Sequence, residues 1–274
     1  MCGPIRYSRL RAVMRLLALA TMFALLPGPL LLVNRIYPRW RFALLRCFFR
    51  TVVYICGLRL RVSGPAPDPG ALLVANHVSY LDIVVLGATV NASFVSKAEV
   101  AKWPAIGFLS SAAGTVFIDR RARYAGEHVA ALSARLSRGE SLVVFPEGAS
   151  SDGSGVLPFK STLFGVVCAA HDAATVVQPL TLCYGSRCHD QPMTPQYRDT
   201  YAWYGGDDDA DFVPHAWRML CGPGSQVEVR FHPPMLACAE TDRKFLAAEC
   251  QAAVAAGIRA ASDEHLQFRV EALG

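Results

Sequence analysis

The chain is predicted to be an α/β protein, a mostly parallel sheet flanked by helices, preceded by an N-terminal membrane-associated helical segment. Three observations carry this reading. Short apolar runs such as Ala71-Leu72-Leu73-Val74-Ala75 and Leu142-Val143-Val144 end abruptly on polar or turn residues, as buried strands do. Helical stretches alternate with these runs, which is the pattern of a parallel sheet covered by helices. Ahead of them, an uncharged run at residues 16–33 stands between two sets of arginines.

The first element is that run. Arg6, Arg9, Arg11 and Arg15 precede it, and as helix it would reach roughly 27 Å, barely the hydrocarbon thickness of a bilayer. Pro27-Gly28-Pro29 is expected to break the helix about two-thirds of the way along. Arg35, Arg39 and Arg41 follow, so both flanks are positive. That suits a bent, re-entrant or surface-lying hairpin at least as well as a spanning helix. A cleaved signal peptide is the competing reading, but no small-x-small site follows before Arg35. Residues 39–56 set arginines among Trp40, Phe42, Phe48 and Phe49, as an amphipathic helix in a membrane interface would. A helix packed on the core is the other reading of the same stretch. The turn-rich linker at residues 63–70 then leads into the first catalytic strand. The expected division is an anchoring segment at 1–62 and a catalytic domain at 63–274.

From residue 71 the elements alternate. A strand at 71–75 is followed by a helix after Ser79, a strand at 93–96 and a helix starting near Pro104. Next come a strand at 115–118, a helix at 123–137, a strand at 142–145, helical residues 161–172 and a strand at 175–184. Residues 190–224, polar and rich in proline and glycine, read as a long excursion. Residues 227–231 alternate like an edge strand, and residues 240–268 form an alanine-rich terminal helix.

Composition narrows the function. Hydrophobic residues make up 53% of the chain and charged ones only 18%, with a formal net charge of +5, so the chain is more apolar than ordinary soluble proteins. With arginines crowded near the N-terminus, the charge suits an anionic membrane surface or an acidic ligand, and no basic-aromatic stretch resembles a nucleic-acid module. The nine cysteines show neither a disulfide framework nor a Cys-x2-Cys pair to begin a zinc site. They read as reduced thiols, mostly buried, in a domain facing the cytosol.

The chemistry concentrates at Asn76-His77-Val78-Ser79-Tyr80-Leu81-Asp82. His77 sits at the carboxyl end of a strand, where open α/β sheets place their ligands. Asp82, five residues on, can hold the other ring nitrogen and orient the imidazole as a base. Asn76 and Ser79 are expected to shape the turn and cap the next helix. Further on lie Gly114-Thr115-Val116-Phe117-Ile118-Asp119-Arg120, Phe145-Pro146-Glu147-Gly148 and Val176-Val177-Gln178-Pro179-Leu180. In order and spacing these four blocks resemble the glycerolipid acyltransferase family typified by lysophosphatidic acid acyltransferases, over about residues 72–184.

That resemblance implies a membrane enzyme that transfers a fatty acyl group from acyl-CoA or acyl carrier protein to a lysolipid hydroxyl. No metal or organic cofactor is implied. His77 would take the hydroxyl proton and Asp82 would brace it, so the acceptor itself serves as nucleophile. Arg120 is the candidate grip on the acceptor's anion, Lys97 adds positive charge, and Glu147 with Gly148 belongs to the block that binds the acceptor. The leading expectation is a 1-acylglycerol-3-phosphate O-acyltransferase. One departure stands against it: the family usually reads Phe-Pro-Glu-Gly-Thr-Arg, whereas Ala149 and Ser150 follow Gly148 here. Ser150-Ser151-Asp152-Gly153, Leu157-Pro158-Phe159-Lys160 and Ala202-Trp203-Tyr204-Gly205 look like the branch that acylates lyso-ornithine lipids, which is the alternative. A serine esterase built on Gly148-Ala149-Ser150-Ser151-Asp152 and an inactive membrane scaffold are the rival readings.

Overall fold

The computed structural model describes residues 6–37, 40–98, 101, 107, 110–111, 114–118, 125–168, 174–185, 200–203 and 212–271. Three helices come first: α1 (Arg9–Leu25), α2 (Pro27–Ile36) and α3 (Arg41–Cys56). Then follow β1 (Arg59–Ser63), β2 (Leu72–Ala75), α4 (Leu81–Thr89), β3 (Ser93–Lys97), β4 (Val116–Ile118), α5 (Ala125–Ser137) and β5 (Leu142–Val144). A 3-10 turn (Ser161–Phe164) runs into α6 (Gly165–Cys168). The chain closes with β6 (Thr175–Gly185), α7 (Phe212–Cys221), β7 (Gln226–Phe231), β8 (Met235–Ala237) and α8 (Arg243–Glu271).

The strands form one sheet in the order β1-β7-β6-β2-β5-β3-β4, with β8 also paired to β6. The five strands from β6 to β4 are all parallel, while β7 and β8 run antiparallel to β6. The apolar run of β2 is buried throughout because it packs on both faces. Leu73 and Ala75 face the side of α3 and α4; Leu72 and Val74 face the side of α5, the 3-10 turn and α8. The alternating strands and helices of the sequence therefore build the mostly parallel, helix-covered sheet expected.

Three expectations change. Residues 227–231 do not form an edge, because β1 pairs along β7 in parallel from Arg59 opposite Gln226 to Ser63 opposite Arg230. For the same reason the expected boundary at residue 62 runs through a strand of the sheet. The excursion at 190–224 contains α7, whose Pro214 lies in the first turn, where a missing N–H costs no helical hydrogen bond. The helix expected near Pro104 lies largely outside the described residues.

At the N-terminus Pro-Gly-Pro marks a joint rather than an end. Leu26 keeps helical backbone, its N–H donates to Met22 and its carbonyl accepts from Leu30. Pro27 and Pro29 fall where α2 needs no donors of its own. The resulting stretch Arg9–Ile36 is long and apolar enough to cross a membrane. Ala12, Leu26 and Leu30 turn inward, while Leu10, Leu17, Leu25, Leu31 and Leu32 are exposed.

Helix α3 packs one face on the core. Leu45, Phe48, Phe49, Val52, Val53 and Cys56 are buried. Gly87 of α4 lets α3 approach, since a Cβ there would stand 2.4 Å from the Phe49 ring. The α3 arginines serve the protein as well: Arg46 donates to Asn91 Oδ1, and Arg50 Nε donates to the Ala88 carbonyl at 3.2 Å, near the end of α4. Arg11 and Arg15 are likewise occupied. Arg11 Nη1 donates to Cys221 O (3.1 Å), and Arg15 Nη1 to Leu220 O (2.9 Å) and Gly222 O (2.8 Å). Both cap the negative end of α7, tying the N-terminal helix to the sheet domain.

Candidate active site

Strand β2 leaves the sheet at Asn76, whose amide is locked to β6: Nδ2 donates to Leu182 O (3.0 Å) and Oδ1 accepts from Leu182 N (2.8 Å). Asn76 thus shapes the exit as expected, by bridging strands. The next residue is His77. Asp82, in the first turn of α4, folds back so that Oδ2 accepts from Val78 N (2.7 Å), Ser79 N (3.0 Å) and His77 Nδ1 (2.7 Å). An oxygen already accepting two amide protons leaves Nδ1 as the donor, so the lone pair of the imidazole lies on Nε2. The Asp82 side chain is fully buried, while that of His77 keeps 23% of its surface exposed. Ser79 Oγ accepts from Leu81 N (3.3 Å) at the start of the helix.

The sequence reading missed Tyr184 as a member of this site. Its hydroxyl donates to Asp82 Oδ1 at 2.7 Å, 102 residues away in the chain. Burial and the neighbouring Asp82 charge push the phenol well above its ordinary pKa, so it stays a donor. The available signal was period-two patterning in β6, which turns Leu180, Leu182 and Tyr184 toward the α4 side.

Strand β5 pairs with β2, Val144 opposite Val74, and so delivers Phe145, Pro146 and Glu147 next to the histidine. The rings of Phe145 and His77 stack with centroids 4.3 Å apart. Glu147 is buried and neither carboxyl oxygen has a hydrogen bond of ordinary geometry. Burial raises its pKa to about 8; the backbone N–H groups of His77 and Leu157 oppose the shift, and the Asp82 charge adds to it. Gly148 has φ 74°, and the place where a side chain would begin is taken by Lys160 Nζ, 2.6 Å from an ideal Cβ.

Lys97 closes β3 at the same end of the sheet, beside β4, where its backbone lies opposite Ile118; its side chain is outside the described residues. Arg120 also lies outside the described residues. Where the family's arginine was expected, residues 150–153 fold beneath the histidine turn. Ser151 donates to the His77 carbonyl from N (2.8 Å) and Oγ (3.3 Å), and Gly153 packs on Val78. Asp152 Oδ1 accepts from Ser154 N and Oγ, at 2.9 and 2.6 Å, in a local turn. Trp203, also part of the branch-like sequence, donates its backbone N–H to Val78 O at 2.9 Å and sets its ring edge-on to Tyr80.

This arrangement offers an oriented base, with Nδ1 of His77 held by Asp82. The hydroxyls of Ser79 and Ser151 are engaged with backbone, and no helix follows Gly148, as a nucleophile elbow requires. Among the described residues no group of three or more His, Cys, Asp or Glu side chains could hold a metal ion. Six described cysteines are free thiols.

Comparison with known proteins adds four findings. The Acyltransferase family model matches residues 59–183. A lyso-ornithine lipid O-acyltransferase from Brucella abortus is 40% identical over 214 residues, covering 76% of this chain and 79% of that protein. A 1-acyl-sn-glycerol-3-phosphate acyltransferase from Neisseria meningitidis is 39% identical over 153 residues, 55% of this chain and 59% of its own. Among solved structures, the 1-acyl-sn-glycerophosphate (LPA) acyltransferase of Thermotoga maritima has the same fold, with a TM-score of 0.65 at 18% identity over 91% of this chain and 94% of that one.

Proposed function

We propose that this chain, which belongs to the glycerolipid acyltransferase family, transfers an acyl group from acyl-CoA or acyl carrier protein to the hydroxyl of a lyso-ornithine lipid at a membrane surface. The observation that carries the reading is the His77–Asp82 pair, with Nδ1 committed to the acid and Nε2 open. The acceptor oxygen attacks the thioester carbonyl while His77 Nε2 takes its proton. The tetrahedral intermediate then collapses to the new ester and expels the thiolate, which recovers the proton from His77. Asp82 stabilises the imidazolium formed in between, and Tyr184 with the amides of Val78 and Ser79 holds Asp82 in place. The thioester is the activated group, so the reaction calls for no further cofactor. Arg120 and Lys97 are assigned to the anionic side of the acceptor, with the catalytic domain on the cytoplasmic face.

Two features favour lyso-ornithine lipid over lysophosphatidate. Residue 150 is serine, and the loop there braces the His77 backbone instead of presenting a guanidinium. An ornithine acylated on one amine keeps a carboxylate and an ammonium, and the buried Glu147 carboxyl, which has no cationic partner among the described residues, suits the ammonium. Asp152, the other candidate for that role, is spent on its own turn. Lysophosphatidate is the second reading, supported by the likeness to the Neisseria enzyme. Labelled acyl donor offered to both lysolipids in competition tests the choice. The expected product is diacylated ornithine lipid, with Ser150→Arg moving preference toward lysophosphatidate. A wild-type preference for lysophosphatidate overturns the acceptor, and hydrolysis or silence overturns the transferase reading.

A further inference from the structure

We propose that Lys160 joins Arg120 and Lys97 in gripping the acceptor's anionic group, standing in for the arginine absent at position 150, an assignment that rests on the lysolipid transferase reading. The segment bearing Lys160 is built into the site from two sides. Phe159 is buried, and its N–H donates to Gln251 Oε1 of α8 at 3.0 Å. The N–H of Lys160 donates to the Pro146 carbonyl at 3.0 Å, inside the Phe145-Pro146-Glu147-Gly148 block whose first residue stacks on His77. The ammonium then reaches over Gly148, and the left-handed backbone there excludes a side chain that would displace it.

Charge makes this position more than a surface lysine. Among the described residues no carboxylate lies within ion-pair distance of Lys160 Nζ, although Glu147 is one residue from the glycine it covers. Glu147 stays buried instead of turning out to pair with it. An exposed ammonium and a buried carboxyl thus flank the same turn with neither neutralising the other. A zwitterionic headgroup answers both: its carboxylate meets Lys160 and its ammonium meets Glu147. Lysine is a compact point charge with three donors and can meet a single carboxylate.

The alternative source of an anion is the donor, since coenzyme A and the phosphopantetheine arm both carry phosphate, and kinetics separate the two. Lys160→Met and Lys160→Arg are compared with wild type on whichever lysolipid the wild type acylates, varying acceptor and donor in turn. The expected result for Lys160→Met is a lysolipid KM raised about tenfold or more, as for a lost hydrogen bond to a charged group. The thioester KM and the urea midpoint stay unchanged, and Lys160→Arg recovers most of the loss. An unchanged lysolipid KM overturns the assignment, and so does a rise confined to the thioester KM. If the wild type acylates no lysolipid, equilibrium binding of lyso-ornithine lipid to the full chain in detergent micelles decides it: equal affinity of wild type and Lys160→Met overturns the role of Lys160 separately from that of the catalytic reading.

Discussion

The His77–Asp82 pair at the centre of the site is held by contacts on three sides. Asp82 spends both oxygens on donors from His77, its own turn and β6, so removing any one leaves a buried acceptor short. Tyr184→Phe should cost about 1.5–3 kcal/mol in urea unfolding, the usual range for a hydrogen bond to a charged group. A variant as stable as wild type would mean that the hydroxyl does not hold Asp82. Glu147 gives a second test. Its folded pKa, raised to about 8 from the ordinary 4.5, means that the folded state keeps a proton the unfolded chain has released. That stabilising difference is fully present below pH 4.5, is lost progressively as the pH rises toward 8, and is level above. Glu147→Gln should flatten this fall, which the pH dependence of the urea midpoint reads directly; an unaltered slope would contradict the burial of an uncompensated carboxyl. That His77, Asp82 and the Glu147 block would come together was legible because each sits in a short block whose order carries information. Tyr184 was not, since its partner is 102 residues away and only the folded sheet brings them together.

Helices α3 and α4 meet where Gly87 admits the Phe49 ring. Gly87→Ala should therefore destabilise by about 1–3 kcal/mol, as overpacking does, despite the higher helix propensity of alanine. Phe49→Leu shortens the obstacle, so the two substitutions should couple, the alanine costing less in the double variant than alone. Additive costs in urea melts would show that the helices do not meet there. This contact also explains what the sequence could and could not say about elements. Strands β2 and β5 were plain because burial on both faces demands an unbroken apolar run. The arginine-aromatic mixture of α3 reads as an interfacial helix or as a core helix, and the glycine on α4 that admits its buried face carries no sequence signal. Residues 227–231 looked like an edge because alternation does not report a partner strand 160 residues or more upstream, which β1 supplies. Helix α7 was hidden by a proline that a first turn tolerates.

For the molecule as a whole, the sheet domain and the apolar N-terminal helices form one packed unit. Phe23 of α1 meets Phe48 of α3 edge-on at 5.4 Å, and Arg15 ties α1 to the end of α7. A chain begun near Leu58 would lose the core side of α3 along with the membrane segment, so surface substitutions are the cleaner probe. Leu17 and Leu31 are 60% and 65% exposed, and replacing both with glutamate should release the protein from vesicles while leaving its melting temperature near wild type. Salt should release little of the wild type, because Arg11 and Arg15 are engaged with α7 carbonyls and apolar insertion carries the binding. Flotation of the double variant with vesicles as complete as wild type would contradict this. In the proposed reaction these parts bring an oriented base to a lipid hydroxyl, and one rate tests that most directly. Transfer of label from an acyl thioester to lyso-ornithine lipid should fall about 10²–10⁴-fold in His77→Ala, with an unchanged circular dichroism spectrum. Transfer by that folded variant within a few-fold of wild type would contradict the account.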